Sequence, residues 1–341
     1  MLGNIRFRNP VKAIIVFAGV GLLAWELHAL SPEVRVKVRS WWWKCRGAAA
    51  LPAMVRSLDS GTEPMIIAAA AEALKSRGSL EVIPAALALL KSDAQWERAA
   101  AARSLGILGS DIGDAVPAIS AALKSEPSNA VRRELVAALR NAAEKDDAAA
   151  ALALATQDAD PEIRKEAVMG LSRAKRATKD VTEALLAALK DADRLVRREA
   201  AESIGDLRPK DPAIVRGLIE ALQDAEAEVR SEASEALAAL GPDAKEAIPA
   251  LLQAIEDAEE RVGIQARRAL VCIGKESIEP LLGKLATAPK LHISVVRVLG
   301  EFGKDAAGAL PELERRRKMQ PELVESADEA IAKIRGQSRG D

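Results

Sequence analysis

The chain has 341 residues, a net charge of −1 and only 2% aromatic residues, with no Tyr, so its core must be built from Leu, Ile, Val and Ala. The first 46 residues hold eight basic and two acidic residues, which leaves 41 basic against 48 acidic residues in 47–341. This negative balance argues against a nucleic-acid-binding surface in 47–341. Cys45 and Cys272 lie far apart in the sequence, so neither a structural disulfide nor a metal site is expected from them.

Residues 1–30 predict a membrane anchor or a signal segment. Residues 13–25 are an unbroken apolar run that follows three basic residues. Counted from Val11 to Leu30, the segment reaches the length of about 20 residues that a bilayer span needs. A cleaved signal peptide is the alternative, although no good small-x-small cleavage site follows the run. We expect a retained single-pass anchor, with a weak preference for an extracytoplasmic repeat domain.

Residues 31–46 predict a basic, Trp-rich linker at the membrane interface. Trp41, Trp42 and Trp43 favour the headgroup layer, and five basic residues of the same segment favour anionic lipid. Ser31-Pro32 is typical of a helix start, whereas the alternating Val and basic residues that follow are typical of a strand. These two signals leave the form of the linker open.

A repeat of about 33 residues runs through 47–341. In residues 213–247, apolar side chains recur every three or four positions in two blocks, with a polar turn at Asp224 between them and Gly241 at the end. Each unit therefore predicts a helix, a short turn, a second helix and a loop. Pro stands near the start of several first helices, for example at Pro84 and Pro249, where its missing N–H is tolerated.

Two columns of charged residues recur with this period. One lies in the turn between the two helices and consists of Asp158, Asp191, Asp224 and Asp257. We expect these side chains to cap the second helix. The other column lies early in the second helix and consists of Arg98, Arg132, Arg164, Arg197 and Arg230, followed by Gly263 and His292. By itself this second column is compatible with an anion-binding stripe.

The repeat pattern resembles a known family. Pro-x-Leu-Leu-x-x-Leu, Asp-Ala-Asp/Glu, Val-Arg-x-Glu-Ala and Leu-small-x-Leu-Gly follow one another as in the short HEAT-like repeats first named from phycobilisome lyases, most clearly in 181–207, 227–241 and 248–260. Tetratricopeptide and ankyrin repeats fit less well, because Tyr and a Thr-Pro-Leu-His motif are missing. The resemblance implies an all-α fold, an α-solenoid that forms a right-handed superhelix of about nine two-helix repeats.

The resemblance also implies a role for the arginine column. In such repeats each Arg meets the turn Asp of its own or a neighbouring repeat, and bidentate pairing of Arg with a carboxylate suits this stacking. We therefore favour a structural ladder over an anion-binding stripe. Members of the family include phycobilin lyases, a di-iron hydroxylase, a DNA glycosylase and plain scaffolds. The hydroxylase is excluded, because its metal ligands are His-Glu pairs and neither His28 nor His292 precedes Glu.

If the repeats bind a partner, the second helices are expected to line the concave side, as in related solenoids. The candidate partner-binding residues on that side are Arg133, Lys165, Arg198, Glu202, Ser231, Glu235 and Arg268. Their mixed charge suits a protein or peptide ligand better than nucleic acid. A solvated face without a ligand is the alternative.

The sequence contains no arrangement of Ser, His and Asp typical of a catalytic triad and no Gly-rich phosphate loop. We therefore expect no catalytic, cofactor-binding or metal-binding residues and no enzymatic activity. The sequence predicts a protein-interaction scaffold tethered to a membrane by its N-terminal helix. The alternative is a lyase-like or chaperone-like subunit that handles a chromophore or cofactor.

Overall fold

The structure is a computed structural model, and it describes residues 33, 36, 39, 40, 42, 43, 46–59, 64–287 and 292–336. The predicted anchor at 1–30 lies outside the described residues, and so does Trp41. None of the described helices is both long enough and apolar enough to cross a membrane.

The described chain is helical and contains no strand, and its contacts divide it into two compact units with the boundary between Ala142 and Ala143. In the first unit the helices pair as α1 (Leu51–Arg56) with α2 (Pro64–Arg77), α3 (Ser79–Leu89) with α4 (Gln95–Ile107), and α5 (Val116–Ser125) with α6 (Asn129–Asn141). In the second unit they pair as α7 (Asp146–Ala155) with α8 (Pro161–Leu171), α9 (Lys179–Ala188) with α10 (Arg194–Leu207), α11 (Pro212–Ala221) with α12 (Ala227–Leu240), α13 (Ile248–Ala254) with α14 (Glu260–Ile273), α15 (Ile278–Thr287) with α16 (His292–Glu301), and α17 (Leu310–Met319) with α18 (Val324–Arg335). The predicted all-α fold of two-helix repeats is confirmed.

Each second helix packs against the second helix of a neighbouring repeat within its unit. This holds for α4 and α6 in the first unit, and for α10 and α12, α12 and α14, and α16 and α18 in the second. Small residues permit the close approach: a Cβ at Gly300 of α16 would lie 2.8 Å from the Cα atom of Ala330 in α18. The core consists mainly of Leu, Ile, Val and Ala, as the composition predicts, with Trp43 and Met54 added in the first unit.

The turn aspartates do not cap the second helices, contrary to the expectation from the sequence. The Oδ1 atom of Asp191 accepts the backbone N–H of Asp193 at 2.8 Å, and Asp193 is the residue that caps α10. Asp158 stands in the same relation to Asp160, which caps α8. Each of these turn aspartates lies two residues before the N-cap residue, so its side chain bonds to the turn and does not cap the helix.

Pro84 also departs from its predicted place. It lies inside α3, because Ser79 to Val82 extend the helix upstream of it. Pro249 lies in the first turn of α13, as predicted.

Residues of the 31–46 segment that the structure describes are helical, which answers the question that the sequence left open. The Trp43 side chain is only 2% exposed, and the Arg77 guanidinium donates a hydrogen bond to its carbonyl at 3.4 Å. Trp43 therefore belongs to the core of the first unit and is not available to a headgroup layer. The half-buried Trp42 ring lies beneath the Arg46 guanidinium, 5.1 Å from the ring centre.

Several second helices end at a residue with a positive φ. Gly241 has a φ of 58° where α12 ends, and Arg208 has a φ of 50° at the corresponding end of α10. A residue with a Cβ is strained in this region, which explains why Gly recurs at the position. Arg208, with a ψ of 59°, lies in the left-handed helical region at an energetic cost, whereas Gly241 has a ψ of −131°.

Candidate functional site

The ladder arginine Arg197 joins two consecutive turns. In Arg197 the Nε and Nη2 atoms donate to the carboxylate of Asp224 at 2.7 and 2.9 Å. Its Nη1 atom donates to the carbonyl oxygens of Asp191 and Ala192 in the preceding turn at 3.0 and 3.2 Å. All three guanidinium nitrogens are hydrogen-bonded within the second unit, so this side chain is engaged in the fold.

The same arrangement recurs in other repeats. Arg164 forms a bidentate pair with Asp191, and Arg230 forms one with Asp257, with distances of 2.6–2.8 Å. In the first unit Arg98 pairs with Glu126 at 2.8 and 2.9 Å. Glu126 was missed by the sequence argument, because it stands where other turns carry Asp. Arg132 donates to the carbonyl oxygens of Glu126 and Pro127 and to the side chain of Asn129.

The pairing lowers the pKa values of the turn carboxylates Asp224 and Asp257. Burial by itself raises the pKa of Asp224, but the hydrogen bonds from Arg197 and from the Glu226 backbone outweigh it and hold the pKa below the usual 3.8. For Asp257 the hydrogen bond from Arg230 is the largest influence, and its pKa is lowered as well. These carboxylates therefore remain ionised at neutral pH.

The ladder stops at α14, where Gly263 stands in place of Arg. A cavity of about 750 Å³ lies at this point and is lined by residues of the α13–α14 turn, of α14 and of α16, among them Asp257, Gly263, Arg267 and Arg297. His292 takes the Arg position in α16 and is 3% exposed. Its Nδ1 atom lies 3.0 Å from the side-chain oxygen of Gln320, so the ring has a structural partner.

The two positions after each ladder residue form a continuous surface on α10, α12 and α14, which we name the second-helix strip. It consists of Arg198 and Glu199, Ser231 and Glu232, and Ile264 and Gln265. The Nε atom of Arg198, the Oγ atom of Ser231 and the Oε1 atom of Gln265 are buried and have no hydrogen-bond partner. Because buried polar groups in proteins are nearly always hydrogen-bonded, these three atoms stand out on adjacent helices.

Two residues of the strip differ from their predicted placement. Ser231 was expected on an exposed face and is 1% exposed. Arg198 was expected to face solvent and is half-buried. The close packing of α10 against α12 covers both positions, whereas the equivalent Arg133 in the first unit is exposed.

The remaining candidates lie at or near the surface. Arg268 is exposed, and its Nη1 atom lies 3.6 Å from the carboxylate of the half-buried Glu235. Glu202 is exposed. Lys165 is half-buried and forms an ion pair with Glu162 at 2.6 Å. Glu202, Glu235 and Arg268 stand at equivalent positions of consecutive repeats, and their part in partner binding stays a prediction.

Four carboxylates lie on α10 and α12, two of them within the strip, and we name them the carboxylate quartet: Glu199 and Glu202 on α10, and Glu232 and Glu235 on α12. Burial, with repulsion from Glu202, raises the pKa of Glu199 to about 7. Burial also raises the pKa of Glu232, although the nearby Arg261 opposes this. Neither Glu199 nor Glu232 was predicted from the sequence. The available signal was the Glu that recurs two positions after Arg132, Arg164, Arg197 and Arg230.

The described residues include no group of three or more His, Cys, Asp or Glu side chains placed to hold a metal ion. Within the part of the chain that the structure covers, the chemistry of the site is therefore that of carboxylates, one half-buried guanidinium and buried hydroxyl and amide groups.

Comparison with one solved structure supports the fold, and two others are reported as similar chains. A chain in the structure of Kap95p with RanGDP aligns with 95% of this chain and with 50% of its own length, at 14% identity and a TM-score of 0.58. An engineered protein aligns over 97% of this chain and all of its own, at 21% identity and a TM-score of 0.47. A computationally designed armadillo repeat protein for modular peptide recognition aligns over 55% of this chain and 98% of its own, at 24% identity and a TM-score of 0.40.

No curated protein matches the sequence. The sequence profile of HEAT repeats matches three overlapping segments, residues 83–172, 148–238 and 215–291. Together these segments cover more than half of the chain and include the intact ladder steps, the second-helix strip and the carboxylate quartet. The chain therefore belongs to the HEAT-repeat family.

Proposed function

We propose that this protein is a non-enzymatic scaffold that binds a protein or peptide partner along the second-helix strip. The single observation that carries the proposal is the exposed, mixed-charge side of the second helices, where Glu202 and Arg268 are accessible in a HEAT-repeat chain. HEAT repeats hold extended surfaces of this kind and carry no chemistry of their own.

A site-specific cross-linking experiment tests this proposal. A photoreactive amino acid is placed at Glu202, beside the strip, in the full chain expressed in its native host. The control places the same amino acid at Arg216, an exposed position on the first helix α11. We expect a discrete cross-linked protein from position 202 and none from position 216. Equal products from both positions, none from either, or visible absorbance of the purified protein would contradict the proposal.

We further propose that the N-terminal segment tethers this scaffold to a membrane, with the repeats on the extracytoplasmic side. The basic start and the apolar run of the sequence support the tether. The full chain is then expected to remain with membranes after carbonate washing, and a chain without residues 1–30 is expected in the wash. The control deletion stops at residue 30, because Trp43 is a core side chain. Full-length protein in the wash, or a mature N-terminus at Leu30, would refute the tether.

A further inference from the structure

We propose that the cavity at the interrupted ladder step, where Gly263 stands in place of Arg, binds an acidic residue of the partner segment, Asp or Glu. The cavity is lined by residues of α14 and α16, among them Ile264 of the second-helix strip. This inference rests on the proposed function, because it assigns the partner chemistry at the C-terminal end of that strip. Arg267 binds the carboxylate, and the turn before α14 binds the main chain beside it.

The interrupted step keeps a guanidinium group, but the residue that carries it lies one helical turn later. In the other repeats the position equivalent to Arg267 is small or apolar and buried, and it is occupied by Val136, Val168, Ala201 and Ser234. Gly263 and Arg267 are four residues apart, so they lie on the same side of α14. A Cβ at Gly263 would lie 3.5 Å from the Nη1 atom of Arg267. Arg267 therefore brings its guanidinium to the place where the side chain of a ladder arginine would begin.

This relocated guanidinium lacks the carboxylate that the ladder arginines have. Arg164, Arg197 and Arg230 each form two hydrogen bonds with an aspartate of the next turn. The half-buried Arg267 makes no hydrogen bond or ion pair with any described residue. Residues 288–291, which lie outside the described part, are Ala-Pro-Lys-Leu and include no acidic residue. The carboxylate that completes the pair is therefore expected from the partner.

The unpaired charges that line the cavity are balanced. Arg267 and Arg297 make no ion pair with a described residue, and neither do Glu260 and Glu301. Arg268, the remaining arginine of the lining, lies beside a carboxylate of α12. Arg297 and both glutamates are exposed, whereas Arg267 is half-buried, so water screens the charge of Arg267 least. The lining thus suits a single carboxylate at Arg267 better than a doubly charged phosphate, which the glutamates would repel more strongly.

Two carbonyl groups of the turn before α14 favour a peptide over a free anion. In an intact step the Nη1 atom of Arg230 donates to the carbonyl oxygens of Asp224 and Ala225 at 2.9 and 3.1 Å. The equivalent residues are Asp257 and Ala258, which line the cavity, and no described side chain donates a hydrogen bond to their carbonyl oxygens. An acidic residue within a peptide offers a carboxylate to the guanidinium and backbone N–H donors to these oxygens.

The strip also changes from polar to apolar at this cavity. Ile264 is 46% exposed, and Ile293 holds the equivalent position on α16 and is 42% exposed. The preceding repeats carry Arg198 and Ser231 at this position. Exposed apolar side chains next to a cation suit a segment in which apolar residues neighbour the acidic one.

Binding is tested with three fluorescein-labelled peptides, (Leu-Glu-Ser-Ser)₃, (Leu-Gln-Ser-Ser)₃ and (Leu-Lys-Ser-Ser)₃, titrated with the full chain in detergent and followed by anisotropy. We expect the Glu peptide to bind roughly tenfold more tightly than the Gln peptide, because its hydrogen bonds to Arg267 are charge-assisted, and the Lys peptide to bind no better than the Gln peptide. Sodium phosphate should not displace the Glu peptide more than sodium chloride of equal ionic strength does.

Variants of Arg267 locate the binding. Arg267→Gln should weaken binding of the Glu peptide roughly tenfold. Arg267→Lys should restore part of this loss, because an ammonium keeps the charge without the bidentate geometry. Arg267→Glu should reverse the preference, so that the Lys peptide binds more tightly than the Glu peptide. The matched control is Arg216→Gln, an exposed position on α11, with an expected change below about twofold.

Urea melts of the same variants separate loss of folding from loss of binding, and the comparison of peptides on the unaltered chain does not depend on any variant. Equal binding of the Glu and Gln peptides, an unchanged affinity in a folded Arg267→Gln, an equal loss in Arg216→Gln, or specific displacement by phosphate would overturn the proposal. Cross-linking at position 202 without binding of the Glu peptide would overturn it too, while the scaffold function would stand.

Discussion

Arg197→Ala is expected to lower the free energy of unfolding by about 3 kcal/mol, at the lower end of the cost of breaking a buried ion pair. The substitution removes both hydrogen bonds to Asp224. It also removes the N–H group that donates to the carbonyl oxygens of Asp191 and Ala192. The side chains of the pair are 17% and 11% exposed, so water compensates only part of the loss. In a repeat protein the damage should begin near the altered step and reduce the cooperativity of urea unfolding.

The control for this variant is Arg216→Ala, which changes an exposed Arg of the same unit and should alter stability by less than about 0.5 kcal/mol. Arg198→Ala is not a suitable control, because the Nε atom of Arg198 is buried. If Arg197→Ala were neutral in urea while partner cross-linking was lost, the arginine column would be a binding stripe and not a structural ladder.

The Arg197–Asp224 pair also predicts that the free energy of unfolding decreases at acidic pH. The pKa of Asp224 in the folded chain lies below its usual value, so the pair contributes stability above that value and loses it as the pH falls through the folded pKa. The loss therefore belongs below about pH 4. In Arg197→Ala this decrease in the free energy of unfolding should be smaller, because the hydrogen bonds that lower the pKa of Asp224 are gone. An equal decrease in the variant and in the original chain would show that other carboxylates cause it.

Gly300→Ala is expected to destabilise the second unit by about 2–3 kcal/mol, because overpacking a close helix contact forces the backbone to shift. The new Cβ would lie 2.8 Å from the Cα and 3.0 Å from the Cβ of Ala330, and a backbone atom cannot move aside alone. The α16–α18 contact would have to widen. Thermal and urea unfolding of the purified variant measure the effect.

The matched control is Gly283→Ala, which makes the same chemical change in the helix α15. Apart from its chain neighbours and the backbone of its own helix, no heavy atom of the described residues lies within 4 Å of a Cβ built at Gly283, so the main change is in helix propensity. This variant should gain about 0.5–1 kcal/mol. The two variants are thus expected to change stability in opposite directions. A shift of the same sign in both would show that the close packing of α16 on α18 does not cause the effect of Gly300→Ala.

The sequence by itself determined the repeat and its ladder. Helical periodicity, the Gly at helix ends and the spacing of the Arg and Asp columns are short-range signals, since each is read within one repeat of about 33 residues. The same signals pointed to the Arg–carboxylate pairs that the structure contains in both units. They could not determine that each paired Arg takes the turn carboxylate of the following repeat.

Only the tertiary structure decided which polar side chains are buried. Ser231 and Arg198 lie at the positions predicted to be exposed, yet the packing of α12 on α10 covers them. Whether a side chain is covered depends on the volumes of residues about 33 positions away on the neighbouring helix, which a pattern within one repeat does not contain. For the same reason the raised pKa of Glu199 and the burial of Trp43 emerge only once the helices are packed.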